Sequence, residues 1–99
     1  MSGDFSETKP ATPEIQEIAD QVKSELEEKE NKTYPVFVAI EYRSQVVAGM
    51  NYLIKVSICN STDECVHLKV FQSLPHENQG PRLSDYQTGK TKEDELIPF

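Results

Sequence analysis

Apolar residues near the start of the chain recur at the spacing of an amphipathic helix. The other positions in this stretch are mainly Glu, Gln, Lys and Ser, and the apolar stripe consists of Ile15, Ile18, Ala19, Val22 and Leu26. Thr12 can accept hydrogen bonds from exposed amides, and Pro13 suits the first position of a helix. The pattern therefore predicts a helix over residues 13–30 that ends near Asn31.

After Tyr34 the apolar period changes to two, which is typical of strands with one buried face. The expected core positions are Val36, Val38, Ile40 and Tyr42 in a first strand, Tyr52, Ile54, Val56 and Ile58 in a second, and Val66, Leu68 and Val70 in a third. Antiparallel folding at Val47 and again at Thr62 sets core residues opposite one another, with Tyr42 opposite Tyr52. Residues 82–88 form a weaker strand, and residues 90–99 are expected to be a tail.

One amphipathic helix can cover one apolar face of such a sheet, so the predicted fold class is α+β. We expect one long N-terminal helix packed on a four- to five-stranded antiparallel sheet, within a single domain over residues 1–99. Residues 1–11 show no periodic apolar pattern and are expected to form a flexible arm.

The composition narrows the class of partner. The chain has 99 residues and a net charge of −7, which argues against nucleic acid or an anionic membrane as partner, since both favour a basic surface. The first residues contain neither a basic run nor an apolar run, so no secretory signal is expected. Without secretion, the two cysteines are expected to be free thiols in a cytoplasmic protein.

Catalysis and metal binding receive little support from the residues. A cysteine nucleophile needs a neighbouring base, and the histidines are His67, expected on the surface of a strand, and His76. Cys59, Cys65 and His67 lack the paired spacing of a zinc site. Cys59 and Cys65 fall opposite each other in the predicted register and could form a disulfide under oxidising conditions. We therefore expect no enzyme, no metal and no cofactor.

The turn between the first two strands carries apolar residues where Asn, Asp or Gly are usual. Val46, Val47 and Ala48 lie at or beside the tip, and Gly49 follows them. Such a tip either packs on its neighbours or the tail, or protrudes and docks into a groove of a partner. The segment 74–76 follows the third strand and is expected near the same edge.

The segment Gln45-Val46-Val47-Ala48-Gly49 fits the Gln-x-Val-x-Gly hairpin motif of the cystatins. Co-linear matches occur at Gly3 and over residues 18–22, 66–78 and 85–88, so the resemblance covers nearly the whole chain. Secreted cystatins carry Pro-Trp in the second hairpin, whereas this chain has Leu74-Pro75 and no tryptophan. The sequence therefore resembles the stefins, the intracellular branch of that family.

The resemblance implies the cystatin fold and a reversible, competitive, tight-binding inhibitor of papain-like cysteine proteases of the cathepsin L, S, H and B type. The arm and two hairpins would form a wedge that blocks the active-site cleft. The implied protease-binding residues are Gly3, Gln45, Val46, Val47, Ala48, Gly49, Leu74, Pro75 and His76. A monomer would be the active form, and exchange of the arm, helix and first strand would give an inactive dimer. A non-inhibitory binding module on the same fold is the alternative.

Overall fold

A computed structural model describes residues 4–99, apart from the side chain of His76. The elements are β1 (Lys9–Pro10), α1 (Pro13–Glu30), β2 (Val38–Val47), β3 (Gly49–Ser57), β4 (Glu64–Gln72), a 3₁₀ turn (Pro75–Glu77) and β5 (Arg82–Thr91). The strands form one five-stranded antiparallel sheet in the order β1-β2-β3-β4-β5. This arrangement of one helix on an antiparallel sheet confirms the predicted fold class.

The bounds of α1 agree with the prediction because both of its ends are determined by local sequence. The Thr12 side chain accepts a hydrogen bond from the amide of Ile15, and Asn31 ends the helix in the left-handed conformation. The buried face of α1 packs with β3, β4 and β5 in one core that contains Ile15, Ala19, Val22, Leu26, Ile54, Val56, Val66, Leu68, Val70 and Leu83. Among the described residues, no helix has both the length and the apolar character needed to cross a membrane.

Both predicted strand registers are wrong by two residues. The first hairpin turns about Ala48, so Tyr42 lies opposite Ile54 and not opposite Tyr52. The second hairpin likewise places Ile54 opposite Leu68. A shift of two residues leaves every side chain on its original face, since side chains alternate with period two. The predicted core faces of β3 and β4 are therefore confirmed, although the pairs are not.

The first half of β2 departs further from the prediction. The β2–β3 register shifts between Ala39 and Glu41, as expected for a β-bulge, and the side chains before this point change faces. Val38 is 52% exposed, whereas Phe37 is buried and Ala39 packs against the core. The prediction that Val38 and the positions alternating with it before the bulge face the core is therefore wrong. One extra residue in a strand reverses which side chains face the core.

The cysteines do not face each other. Cys65 lies opposite Ser57, and both Cys59 and Cys65 are free thiols, so the predicted opposition of the two cysteines is wrong. Hydrogen bonds with Ser61 and Thr62 lower the pKa of the Cys59 thiol to about 7. Burial raises the pKa of the Cys65 thiol.

The sheet face opposite α1 is covered by the chain end, which we call the C-terminal segment (residues 92–99). Lys55 is 2% exposed, and its Nζ donates hydrogen bonds to the carbonyls of Lys92, at 2.7 Å, and Asp94. Its ammonium also lies 3.4 Å from a carboxylate oxygen of Glu41. Leu96 is fully buried. The expectation of a tail over residues 90–99 is therefore wrong, since β5 continues to Thr91 and the segment after it packs on the sheet.

His67 lies on this covered face and is 1% exposed, so the expectation of a surface histidine is wrong. Its Nε2 atom is buried and has no hydrogen-bond partner among the residues that the structure describes. Burial, and after it the positive charges of Lys55 and Lys90, lowers the pKa of His67 to about 4, with Asp94 acting in the opposite direction. The folded protein thus holds this imidazole in its neutral form.

This burial predicts a loss of stability in mild acid. The unfolded chain takes up the His67 proton below about pH 6.5, whereas the folded protein resists protonation until about pH 4. The free energy of unfolding should therefore fall by up to about 3 kcal/mol between these two values. Urea unfolding measured from pH 7 to pH 4 checks this expectation. His67→Leu should flatten the dependence, and an unchanged slope in that variant would contradict the assignment.

Candidate functional site

The turn between β2 and β3 projects apolar side chains into solvent. Val47 lies opposite Gly49, so the chain reverses about the single residue Ala48. Val46 is 64% exposed and Val47 is 38% exposed, and Ala48 is exposed as well. Of the two interpretations that the sequence leaves open, this exposure favours a protruding tip over a tip packed on its neighbours.

Gly49 allows the base of this hairpin to pack closely against the neighbouring strand β4. Its φ of +119° lies in a region that side-chain-bearing residues rarely adopt. A Cβ atom at this position would lie 2.5 Å from the carbonyl oxygen of Gln72 and 3.0 Å from the ring of Phe71. The hairpin can approach the end of β4 this closely only because position 49 has no side chain.

A second loop follows β4 and reaches the same edge. Leu74 precedes the 3₁₀ turn, which begins at Pro75, and Asn78 ends that turn in the left-handed conformation. The side chains of Gln72 and Ser73 donate hydrogen bonds to the carbonyl of Gln79, at 3.2 and 3.3 Å, and these bonds hold the loop closed. The backbone of His76 belongs to the turn, but its side chain lies outside the description.

The two loops meet around an open groove of about 450 Å³. The groove is lined by uncharged residues, namely Val46, Val47, Gly49, Met50, Gln72, Ser73, Leu74 and Pro75. We refer to the loops 45–49 and 74–76 and the groove between them as the apolar edge. Sequence reasoning missed Met50, Gln72 and Ser73, whose places follow only from the strand register that it predicted wrongly.

The described part of the arm runs along β2 towards this edge. The amide of Ala11 donates to the carbonyl of Ile40, at 2.9 Å, and the amide of Ser6 donates to the carbonyl of Ser44, at 2.7 Å. Between them, β1 pairs with β2, so the arm is more ordered than its sequence predicts. Gly3 lies outside the described residues.

Gln45, the first residue of the hairpin motif, is held by a neighbour across the hairpin. Asn51 lies directly opposite Gln45, and its Nδ2 donates a hydrogen bond of 2.8 Å to Gln45 Oε1. This bond ties the two strands together at the point where the tip begins.

The apolar edge suits contact with a partner better than chemistry. Its described lining has no charged residue, cysteine or histidine that could act as an acid or a base, and the Ser73 hydroxyl is hydrogen-bonded to the Gln79 carbonyl. Over residues 4–99, no group of three or more His, Cys, Asp or Glu side chains is arranged to hold a metal ion. The edge can therefore supply apolar contact area and backbone hydrogen-bonding groups.

Comparisons with known proteins agree with this geometry. A family model described as "Cystatin domain" matches residues 3–93. Stefin-C of Bos taurus is 63% identical over 97 residues, which cover 98% of this chain and 94% of that protein. Cystatin-B of Sus scrofa is 62% identical and Cystatin-B of Homo sapiens 61% identical, each over 99 residues that cover 100% of this chain and 99% of the relative.

The matched family and these relatives place the chain in a class of protease inhibitors and not among enzymes. The chain belongs to the cystatin family, and its full-length similarity to Stefin-C and Cystatin-B places it among the stefins. Its activity is inhibition of cysteine proteases, as the sequence predicts.

Proposed function

We propose that this inhibitor acts by inserting the apolar edge into the active-site cleft of papain-like cysteine proteases, such as cathepsins L, S, H and B. The observation that carries the proposal is the meeting of two apolar loops at one edge, where Val46 is 64% exposed. An apolar tip of this kind gains binding free energy when the cleft removes it from water.

Each part of the edge has a place in the proposed complex. Residues 45–49 and 74–76 occupy the primed side of the cleft, which binds the substrate residues that follow the scissile bond. The arm around Gly3 occupies the opposite side, where a glycine lets the backbone pass close to the catalytic cysteine. The inhibitor presents no bond for attack, so inhibition is reversible and competitive with substrate.

The loops are held in place before binding. The Asn51–Gln45 bond steadies the first hairpin, and the bonds from Gln72 and Ser73 to the Gln79 carbonyl steady the second loop. Groups that are already ordered lose little conformational entropy when they bind, which favours tight binding.

The direct test is titration of papain and of a cathepsin L-type protease with the purified protein. We expect stoichiometric loss of activity and recovery of that activity on dilution. Full protease activity at micromolar inhibitor would overturn the proposal. Binding to the protease without loss of activity would instead indicate a non-inhibitory binding module.

The arm should contribute modestly to this inhibition. Ser2 precedes Gly3, whereas the adjoining subsite of many papain-like proteases favours apolar groups. Deleting residues 1–3 should therefore weaken inhibition by less than about 3 kcal/mol, which is below the range of the strongest hot spots. The ratio of inhibition constants for the deleted and native proteins measures this contribution, and a larger loss would contradict the expectation.

We further propose that the active form is a cytoplasmic monomer. The free thiols of Cys59 and Cys65 are compatible with a reducing compartment. Opening of the β2–β3 hairpin would allow β1, α1 and β2 to exchange between two copies. Such a dimer would be inactive, because the opened hairpin would no longer form the tip at residues 46–48.

A further inference from the structure

Arg43 bridges two distant parts of the chain beside the apolar edge. It lies on β2 opposite Leu53, four residues before the tip residue Val47. Its Nε donates a hydrogen bond of 2.8 Å to the carbonyl of Ser6 in the arm. Its Nη1 donates a hydrogen bond of 2.9 Å to the carbonyl of Leu96 in the C-terminal segment. A single guanidinium thus joins the arm, the sheet and the chain end.

Ser6 is held to β2 by both its backbone and its side chain. Its amide donates to the carbonyl of Ser44, at 2.7 Å, and its Oγ accepts from the amide of Ser44, at 3.0 Å. Its carbonyl accepts the bond from Arg43. Ser6 is therefore held by three hydrogen bonds with two adjacent residues of β2, Arg43 and Ser44.

The C-terminal segment fixes the orientation of the guanidinium. Leu96 is fully buried, and its carbonyl would be costly to leave without a donor. The donors of arginine form a rigid planar fork, so the bond to Leu96 restricts where Nε can point. A charged donor also makes a stronger hydrogen bond than a neutral one, which favours retention of the bond to Ser6.

From this geometry we infer that Arg43 is a positioning residue for protease inhibition. By holding Ser6, Arg43 orients the arm towards the protease cleft. The inference rests on the proposed function, since the arm is taken to enter the cleft beside the apolar edge. Arg43 itself makes no contact with the protease in this account. Its effect passes through the arm, whose ordering before binding lowers the entropic cost of the complex.

A double-mutant cycle against papain tests the inference with full-length protein. Gly3→Val places a side chain where the arm passes the catalytic cysteine, so it should weaken inhibition by about tenfold or more while the arm is held in place. In the Arg43→Gln background the arm can move aside, and the same change should weaken inhibition by less than about threefold. Arg43→Gln alone should weaken inhibition by about threefold to tenfold, the range expected for a lost preorganisation.

Arg82→Gln is the matched control. It removes the same charge from β5, where Arg82 is paired with Glu25 on α1 and has no bond to the arm among the described contacts. The Gly3→Val penalty should keep its native size in this background. Equal penalties in the native and Arg43→Gln proteins would overturn the inference, as would a native protein in which Gly3→Val has no effect.

Amide hydrogen exchange gives a second readout that needs no protease. The Ser6 amide should exchange faster in Arg43→Gln than in the native protein and should be unchanged in Arg82→Gln. A purely structural role at the chain end would alter the C-terminal segment and leave Ser6 protected, which would overturn the inference. If the native protein fails to inhibit papain, the proposed function falls, while the exchange experiment still shows whether Arg43 holds the arm.

Discussion

Replacing Val46 and Val47 together with aspartate is expected to abolish inhibition of papain-like proteases while the protein stays folded. The two side chains form the exposed tip and do not belong to the core. In the proposed complex, each new carboxylate would be buried in an apolar cleft without a partner. We expect inhibition to weaken by at least about 4 kcal/mol, or roughly a thousandfold.

The same double variant should keep its stability, because exposed substitutions seldom change the free energy of unfolding by much. Urea unfolding should agree with the native protein to within about 1 kcal/mol. Val38→Asp is the matched control, since Val38 is 52% exposed and lies at the other end of β2. It should inhibit papain as the native protein does. Full inhibition by the double variant would show that the hairpin tip is not the contact.

Gly49→Ala is expected to lower both stability and inhibition, since it acts on the buried support of the same hairpin. The added Cβ would lie 2.5 Å from the Gln72 carbonyl, and the positive φ of +119° adds strain. Backbone strain of this kind costs about 1–3 kcal/mol, and relief of the clash with Gln72 adds to that cost. The hairpin must move away from β4, so the two loops lose their spacing and inhibition should fall by about tenfold or more.

Gly89→Ala separates the clash from the effect of a positive φ. Gly89 also has a positive φ, of +71°, but an added Cβ would meet no described atom within 4 Å. Gly89→Ala should therefore cost about 1 kcal/mol of stability, which is the usual cost of the left-handed conformation, and leave inhibition unchanged. Urea unfolding and papain titration of both variants check this contrast, and similar losses in the two would contradict the role assigned to close packing at Gly49.

The two experiments probe different contributions to the edge. The two valines provide contact area for the protease and add little to the stability of the fold. Gly49 is buried and instead sets the distance between the hairpin and β4. If both expectations hold, the edge works as a preformed surface whose shape depends on the packing of β3 against β4.

The helix and the core faces of the second and third strands could be read from neighbouring residues alone. The Thr12 cap, the apolar stripe and the Asn31 stop are local features, so they predict α1 with its correct bounds. Alternation along β3 and β4 likewise identifies their buried sides, because it does not depend on which residue lies opposite.

Long-range pairing decided what local patterns could not. The exact residues at which the two hairpins turn, and the shift between Ala39 and Glu41, are not marked by the local pattern, so both registers and the first half of β2 were predicted wrongly. Alternation also cannot show that a second face of the sheet is covered. His67 was expected on the surface, and it is buried together with Lys55 beneath the C-terminal segment.

The candidate site likewise combines residues that the sequence identifies with contacts that only the tertiary structure shows. The residues at the tip stand out in the sequence because an apolar turn is unusual, and their motif resembles that of the cystatins. The partners that hold the edge in place could not be found in this way. Ser6 and Leu96 are 37 and 53 residues from Arg43 along the chain, and only the folded sheet brings their carbonyls to one guanidinium. Sequence patterns report the neighbours of a residue along the chain, whereas these contacts depend on the strand register and on the path of the two chain ends across the sheet.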